Sequence, residues 1–386
     1  MEHWTAHHLI ENATQIHSEI IVKSLFDYSE KLRNNNIPII FNLNHFSKIN
    51  HVSVKYLISS INRHMEHINY HLFSVRKRSG GKRYIHAPTK RIRSIQTFIN
   101  KYILSNICPH PRSFAYSKLG GIVRCAEQHL GARWLFQFDL KDFFYSISEY
   151  SVYKIFRDIG YTKKLSFEFA RLCTTTLLPP HLYKKYIINS QSDCTVDNDF
   201  RQGNRLYASP VVGVLPQGAP SSPMLSNLAA YSLDNVLHSY ATEHQMVYTR
   251  YADDITFSAY SIPKSMTISS IINDIKFLIR NENFQENKDK IHVARPGSRK
   301  LVLGLLIDGN KLRVSKEMFK RISRKIYAIN KFGLLSVANN DGFNSAFGLY
   351  NHVQGLLAYL KDVDHAHWEY LYPKFEEIEK KWKIQL

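Results

Sequence analysis

Tyr251-Ala252-Asp253-Asp254 constrains this chain more than any other stretch. Tyr248-Thr249-Arg250 before it and Ile255-Thr256-Phe257 after it favour strands. A tight turn between two such strands holds both carboxylates at its tip. Like charges so close resist joint ionisation, so a site that keeps them ionised needs a cation between them, and a divalent metal is the direct solution. An acidic surface hairpin is the plainer reading of the pair alone, because acidic turn residues are common. The rest of the chain argues against it.

A second acidic element lies upstream, in Trp134-Leu135-Phe136-Gln137-Phe138-Asp139-Leu140-Lys141-Asp142-Phe143-Phe144. Its apolar run reads as a buried strand that delivers Asp139 at its end. Between the two acidic elements comes Leu215-Pro216-Gln217-Gly218-Ala219-Pro220-Ser221-Ser222-Pro223. This reads as a constrained loop, with Ser221 or Ser222 as N-cap and Pro223 in the first helical turn. Leu225, Leu228, Ala229, Ser232, Leu233, Val236 and Leu237 then mark one face of an amphipathic helix.

The three motifs, in this order, resemble those of the reverse transcriptases, and most closely the bacterial retron-type RNA-directed DNA polymerases. The likeness runs from about Tyr70 to the C-terminus. It implies an α+β right-hand polymerase fold: an N-terminal helical extension over 1–60, interleaved fingers and palm over 61–309, and a three-helix thumb over 310–386. It also implies a two-metal phosphoryl transfer, in which one ion activates the primer 3′-hydroxyl and the other neutralises the triphosphate and leaving pyrophosphate. By the same resemblance Asp139 and Asp253 bridge two Mg²⁺ ions, with Mn²⁺ able to substitute. The Leu140 carbonyl completes a hard-oxygen shell, and Asp254 is a weaker catalytic ligand.

Phe144 stands five residues after Asp139, where the family places the aromatic ring that excludes a 2′-hydroxyl; a core aromatic is the other reading. Gln217 and Gly218 are expected near the templating base pair, Gly218 because a missing side chain permits close backbone approach. Phe73 to Pro88 reads as a basic hairpin with a Gly-Gly turn, similar to the family's fingers hairpin. Arg83, with Lys77 and Lys82, is the candidate for the triphosphate of dNTPs. Asn287-Lys288-Asp289-Lys290 resembles the fourth motif, which makes Lys290 a candidate proton donor to pyrophosphate. Leu301 to Leu306 and Lys311 to Val314 suggest a hairpin that grips the primer. Met318, Ile322, Ile326 and Ile329 form an apolar stripe on a helix whose other faces carry Lys316, Lys320, Arg321, Arg324 and Lys325, a cationic surface for a duplex backbone. Helices over 343–361 and 365–381 complete the expected thumb.

Composition agrees with a nucleic-acid enzyme. The formal net charge of +19 implies a broad positive field and salt-dependent phosphate binding. A chain of 386 residues has room for several subdomains. Cys108, Cys125, Cys173 and Cys194 lack paired-ligand spacing, which argues against a zinc site or disulfide framework and fits a cytoplasmic setting. His7-His8 and the other histidines are scattered and read as having no metal role. No apolar run is long enough to span a bilayer, and no membrane partner is expected. Residues 177–212, rich in polar residues, read as an insertion.

Retron enzymes carry Asn-Ala-x-x-His ahead of the first catalytic motif, where this chain has Cys125-Ala126-Glu127-Gln128-His129. They carry Val-Thr-Gly after the fourth, where it has Val302-Leu303-Gly304. His129 and Gly304 are thereby candidates for RNA or primer contact, with the asparagine and threonine of the pattern missing. Membership implies a structured noncoding RNA as primer and template, an RNA–DNA duplex and a branched, RNA-linked single-stranded DNA product. An effector protein encoded nearby and a role in antiphage defence are implied too. A defence-associated reverse transcriptase outside the retrons, making unbranched or repetitive DNA, is the alternative enzyme. A catalytically weak nucleic-acid-binding scaffold is the alternative of another class.

Overall fold

The computed structural model describes residues 18–77, 80–183 and 212–381. The expectations for His7-His8, for Cys194 and for positions 184–211 of the insertion lie outside the described residues. The chain forms two compact units. One comprises residues 1–117, 140–236 and 278–286, the other residues 118–139, 237–277 and 287–386.

The first unit is largely helical. Its N-terminal part holds helices Glu19–Asn34, Leu43–Asn50 and Val54–Ile61. Phe46, Phe156, Tyr161 and Phe169 pack edge-to-face or tilted at centroid distances of 4.9 to 6.5 Å and form the centre of its core. Strands β1 (Tyr70–Arg76) and β2 (Lys82–Pro88) make the expected antiparallel hairpin, in register from Tyr70 opposite Pro88 to Arg76 opposite Lys82. Gly80 and Gly81 both take positive φ in its turn, which side chains disfavour.

The second unit is built on a four-stranded antiparallel sheet. Its strands are β3 (Trp134–Asp139), β4 (Val247–Tyr251), β5 (Asp254–Ala259) and β6 (His292–Ala294), in the order β4-β5-β3-β6. Alternation gives the sheet two different faces. Phe136, Phe138, Phe257 and Tyr248 fill one, with Tyr240 against Phe257. Leu135, Gln137 and Asp139 lie on the other, opposite Ser258, Thr256 and Asp254. Further on, β7 (Leu301–Val302), β8 (Leu305–Leu306) and β9 (Arg313–Val314) form a second sheet of three strands, where the sequence suggested a simple hairpin. Leu303 and Gly304 both have positive φ and make the β7-β8 turn.

Helices Lys316–Phe332, Leu334–Asn340, Ala346–Val363 and His365–Lys381 follow. The first has the predicted stripe, with Ile322, Ile326 and Ile329 buried against the core of this unit. The short Leu334–Asn340 helix makes four helices where three were expected. The helix predicted after the Pro-Gln-Gly loop is also two helices, Ser222–Ala229 and Tyr231–Glu243. Ser221 occupies the N-cap but its side chain makes no capping bond. No described helix is long and apolar enough to cross a membrane.

Candidate active site

The carboxylates gather at one end of the four-stranded sheet. Asp139 ends β3 and lies directly opposite Asp254, which starts β5 and is opposite Tyr251 on its other side. Ala252 and Asp253 form a two-residue turn between β4 and β5. Ala252 takes φ 56°, and the fully buried Arg250 donates from Nη1 to its carbonyl at 3.1 Å. Like charges directly across a strand pair repel. The Asp254 carboxyl is accordingly pushed up to about 6, by removal from solvent first and then by the charges of Asp253 and Asp139, with Lys290 acting the other way. The residue as a whole stays exposed, so its desolvation is partial.

Two groups from the segment preceding β6 hold Asp139. Lys290 donates from Nζ to Oδ2 at 2.6 Å, and Asn287 donates from Nδ2 to Oδ1 at 3.3 Å. The Asn287 amide also donates to the Asp139 carbonyl at 2.7 Å, which anchors the segment to the end of β3. Partial burial pulls the Lys290 ammonium down, but its hydrogen bond to Asp139 and the charges of all three acids outweigh that and hold it above the ordinary lysine value. Sequence reasoning singled out Lys290 and gave Asn287 no role. The signal was present, since both belong to the same four-residue motif.

Leu140 pairs with Glu286 in an isolated antiparallel bridge. The bonds on either side belong to neighbours: Asn287 to Asp139, and Lys141 to Gln285 at 2.7 Å. The carbonyl of Leu140 takes no part in that bridge.

The first unit carries several of the remaining candidates. Phe143 is the core aromatic of the Phe143-Phe144 pair, packed against Phe284, whereas Phe144 is only partly buried. Lys77, Lys82 and Arg83 are exposed at the turn end of the β1-β2 hairpin. The Gln217 carbonyl accepts from the His86 amide at 2.8 Å, joining the Pro-Gln-Gly loop to β2. Gly218 has φ 118°, and a Cβ there would stand 2.8 Å from the His86 carbonyl oxygen. The close approach expected of this glycine is therefore made to protein backbone.

Other candidates fall elsewhere. Lys320, Arg321 and Arg324 are exposed on the Lys316–Phe332 helix. Gly304 serves its turn through positive φ, a conformational need independent of any ligand. His129 is 1% exposed, with Nδ1 at 2.7 Å from Ser258 Oγ and Nε2 at 2.7 Å from Thr249 Oγ1. This corrects the expectation of RNA contact, because both ring nitrogens are used inside the second unit.

Sequence comparison agrees with this arrangement. Residues 75–320 match the family described as Reverse transcriptase (RNA-dependent DNA polymerase). The chain is 28% identical to the retron Ec86 reverse transcriptase of Escherichia coli, over 91% of this chain and 94% of that one. It is 28% identical to the retron Mx65 reverse transcriptase of Myxococcus xanthus, over 78% of this chain and 63% of that one. To the retron Ec83 reverse transcriptase of Escherichia coli it is 26% identical, over 80% and 88%. With the family match covering well over half of its length, the chain belongs to the reverse transcriptases, is an RNA-directed DNA polymerase with an α+β fold, and resembles the retron-type members.

Proposed function

We propose that this polymerase copies a dedicated structured noncoding RNA, used as both primer and template, into branched single-stranded DNA that stays joined to RNA, as part of antiphage defence. The observation that carries the chemistry is the carboxylate cluster, with Asp139 facing Asp254 across the sheet beside the Asp253 turn. Similarity to enzymes named as retron reverse transcriptases over most of the chain supports the retron part.

The donor set fits Mg²⁺. Among the described residues no group of three or more His, Cys, Asp or Glu side chains stands ready to hold a metal. Yet the three acids are hard-oxygen donors short of positive charge, and Lys290 already supplies one such charge to Asp139. Asp139 and Asp253 would be the principal holders, with the Leu140 carbonyl and Asp254 assisting. Two bound ions would supply activation of the primer 3′-hydroxyl and neutralisation of the leaving pyrophosphate. Asn287 and Lys290 orient Asp139 by taking one carboxylate oxygen each. Lys290, kept protonated there, is suited to give a proton or a positive charge to pyrophosphate. Arg83, Lys77 and Lys82 would bind the triphosphate, Phe144 would select the deoxy sugar, and Gln217 and Gly218 would check the templating pair. Lys320, Arg321 and Arg324 would hold the nucleic-acid backbone.

The test is sequencing of nucleic acid that copurifies with the protein and with Asp253→Ala, with and without debranching and ribonuclease treatment. Single-stranded DNA joined to RNA through a 2′-linkage, present only with Asp253 intact, is the expected result. Unbranched or repetitive DNA would favour a defence enzyme outside the retrons. RNA without DNA in both samples would favour the scaffold.

A further inference from the structure

We propose that His129 is a positioning residue for the carboxylate hairpin: it ties β4 to β5 on the face that carries Asp254, two to four residues back from the turn. The inference rests on the proposed role of those acids. Thr249 lies two residues before Tyr251 on β4, and Ser258 lies four residues after Asp254 on β5. By alternation both side chains share a face with Asp254 and Asp139. His129 reaches that face from the turn after helix Ile122–Glu127, and its ring bridges the two hydroxyls at 2.7 Å each. It thus adds a side-chain tie to a strand pair whose backbone ladder runs from Val247 opposite Ser258 at the open end to Tyr251 opposite Asp254 at the turn.

The hydrogen-bond directions form one consistent chain. Cys125 Sγ donates to Thr249 Oγ1 at 3.4 Å. In either neutral tautomer one ring nitrogen donates to its hydroxyl and the other accepts from its own, so Thr249 and Ser258 are both served. Neutral imidazole satisfies every group in the chain, and Cys125, His129, Thr249 and Ser258 are each no more than 2% exposed. Removing the ring leaves two buried hydroxyls without this partner, which loosens the strand pair that holds the carboxylates at its turn.

A role in packing alone would lower stability throughout the unit, whereas a positioning role acts on the hairpin first. The experiment compares wild type, His129→Ala, His129→Gln and Ser258→Ala by backbone hydrogen exchange and by Mn²⁺ binding measured by electron paramagnetic resonance without nucleic acid. Mg²⁺ titration of DNA synthesis is read alongside. In His129→Ala, exchange across residues 248–258 should rise about tenfold, while that of the 316–332 helix stays unchanged. Mn²⁺ affinity should weaken, and half-maximal synthesis should need several-fold more Mg²⁺. Glutamine, which also offers one donor and one acceptor, should restore more than half of each effect. Equal acceleration across the unit, or glutamine no better than alanine, would overturn the inference. Should His129→Ala fail to fold, Ser258→Ala must show the same local change at smaller size, and no change there refutes it. Asp253→Asn separates the two readings. Full synthesis in that variant removes the proposed acid site itself; lost synthesis and lost Mn²⁺ binding there, beside unaltered His129 variants, removes only the positioning role.

Discussion

Asp254 and Lys290 express one electrostatic fact from opposite sides. Burial and then the charges of Asp253 and Asp139 raise the Asp254 carboxyl, while the hydrogen bond to Asp139 and the attraction of all three acids raise the Lys290 ammonium. Within the first unit, the two phenylalanines of the first motif divide the work: Phe143 packs in the core and leaves Phe144 partly open. Replacing Phe144 by Ala should raise ribonucleotide use relative to deoxyribonucleotide by at least about tenfold, measured as the ratio of kcat/KM values in primer extension. Unchanged sugar selection would remove it as the gate. Gly218 makes a different demand, since a methyl group there meets the His86 carbonyl and the backbone has φ 118°. Gly218→Ala should therefore shift the Pro-Gln-Gly loop off β2 and lower kcat about tenfold or more, in keeping with the sensitivity of synthesis to small misplacements. Circular dichroism should show the fold retained.

Among the elements of the first unit, a buried ionic network fixes the approach to the Pro-Gln-Gly loop. Arg63 donates to Glu66 at 2.9 Å, to Glu149 and to the Thr174 carbonyl at 2.6 Å, while Arg171 pairs with Glu149 at 2.5 Å. Glu149 Oε2 also accepts from the Gly213 amide at 2.9 Å, and the Glu149 amide donates to the Gly213 carbonyl at 2.7 Å. A Cβ on Gly213 would meet Arg63 at 2.5 Å and Glu149 and Thr174 at 2.9 Å, so only glycine fits. Two arginines and two glutamates balance each other. Glu149→Gln should leave buried positive charge uncompensated and cost about 3–5 kcal/mol, read as a lower urea midpoint. A midpoint within error of wild type would show that the network adds nothing net. None of this was apparent in the sequence, because Arg63, Glu149, Arg171 and Gly213 lie far apart in the chain and carry no motif.

For the whole molecule, the +19 charge is the dominant property, and it predicts partners by sign alone. The Lys316–Phe332 helix keeps Lys320, Arg321 and Arg324 exposed, while Glu317 is tied to Arg299 at 3.1 to 3.2 Å. Changing those three cations together to Gln should weaken binding of an RNA–DNA duplex. It should also make the plot of log affinity against log salt shallower, by about one unit for each phosphate that is no longer neutralised. A slope equal to wild type would place the duplex elsewhere.

The strand ending in Asp139, the Asp-Asp hairpin, the basic β1-β2 hairpin and the apolar stripe of the Lys316–Phe332 helix were legible because each rests on local rules: alternation, turn chemistry and helical periodicity. The same rules put Asp139 at a strand end and Asp253 and Asp254 at a turn, whereas Lys290 came from the resemblance of its segment to the fourth motif of the family. They missed the break at Ala230, where no proline or glycine interrupts the pattern, and the Leu334–Asn340 helix. They also misread His129, which matched a motif but whose ring lies under the sheet. Local sequence determines which backbone shapes each segment favours and which chemical groups it offers. The pairing of Asp139 with Asp254, the hold of Asn287 and Lys290 on Asp139, and the burial of His129 depend on residues more than a hundred positions apart. Only the tertiary structure decided those, because such contacts form when the packed core brings distant segments together.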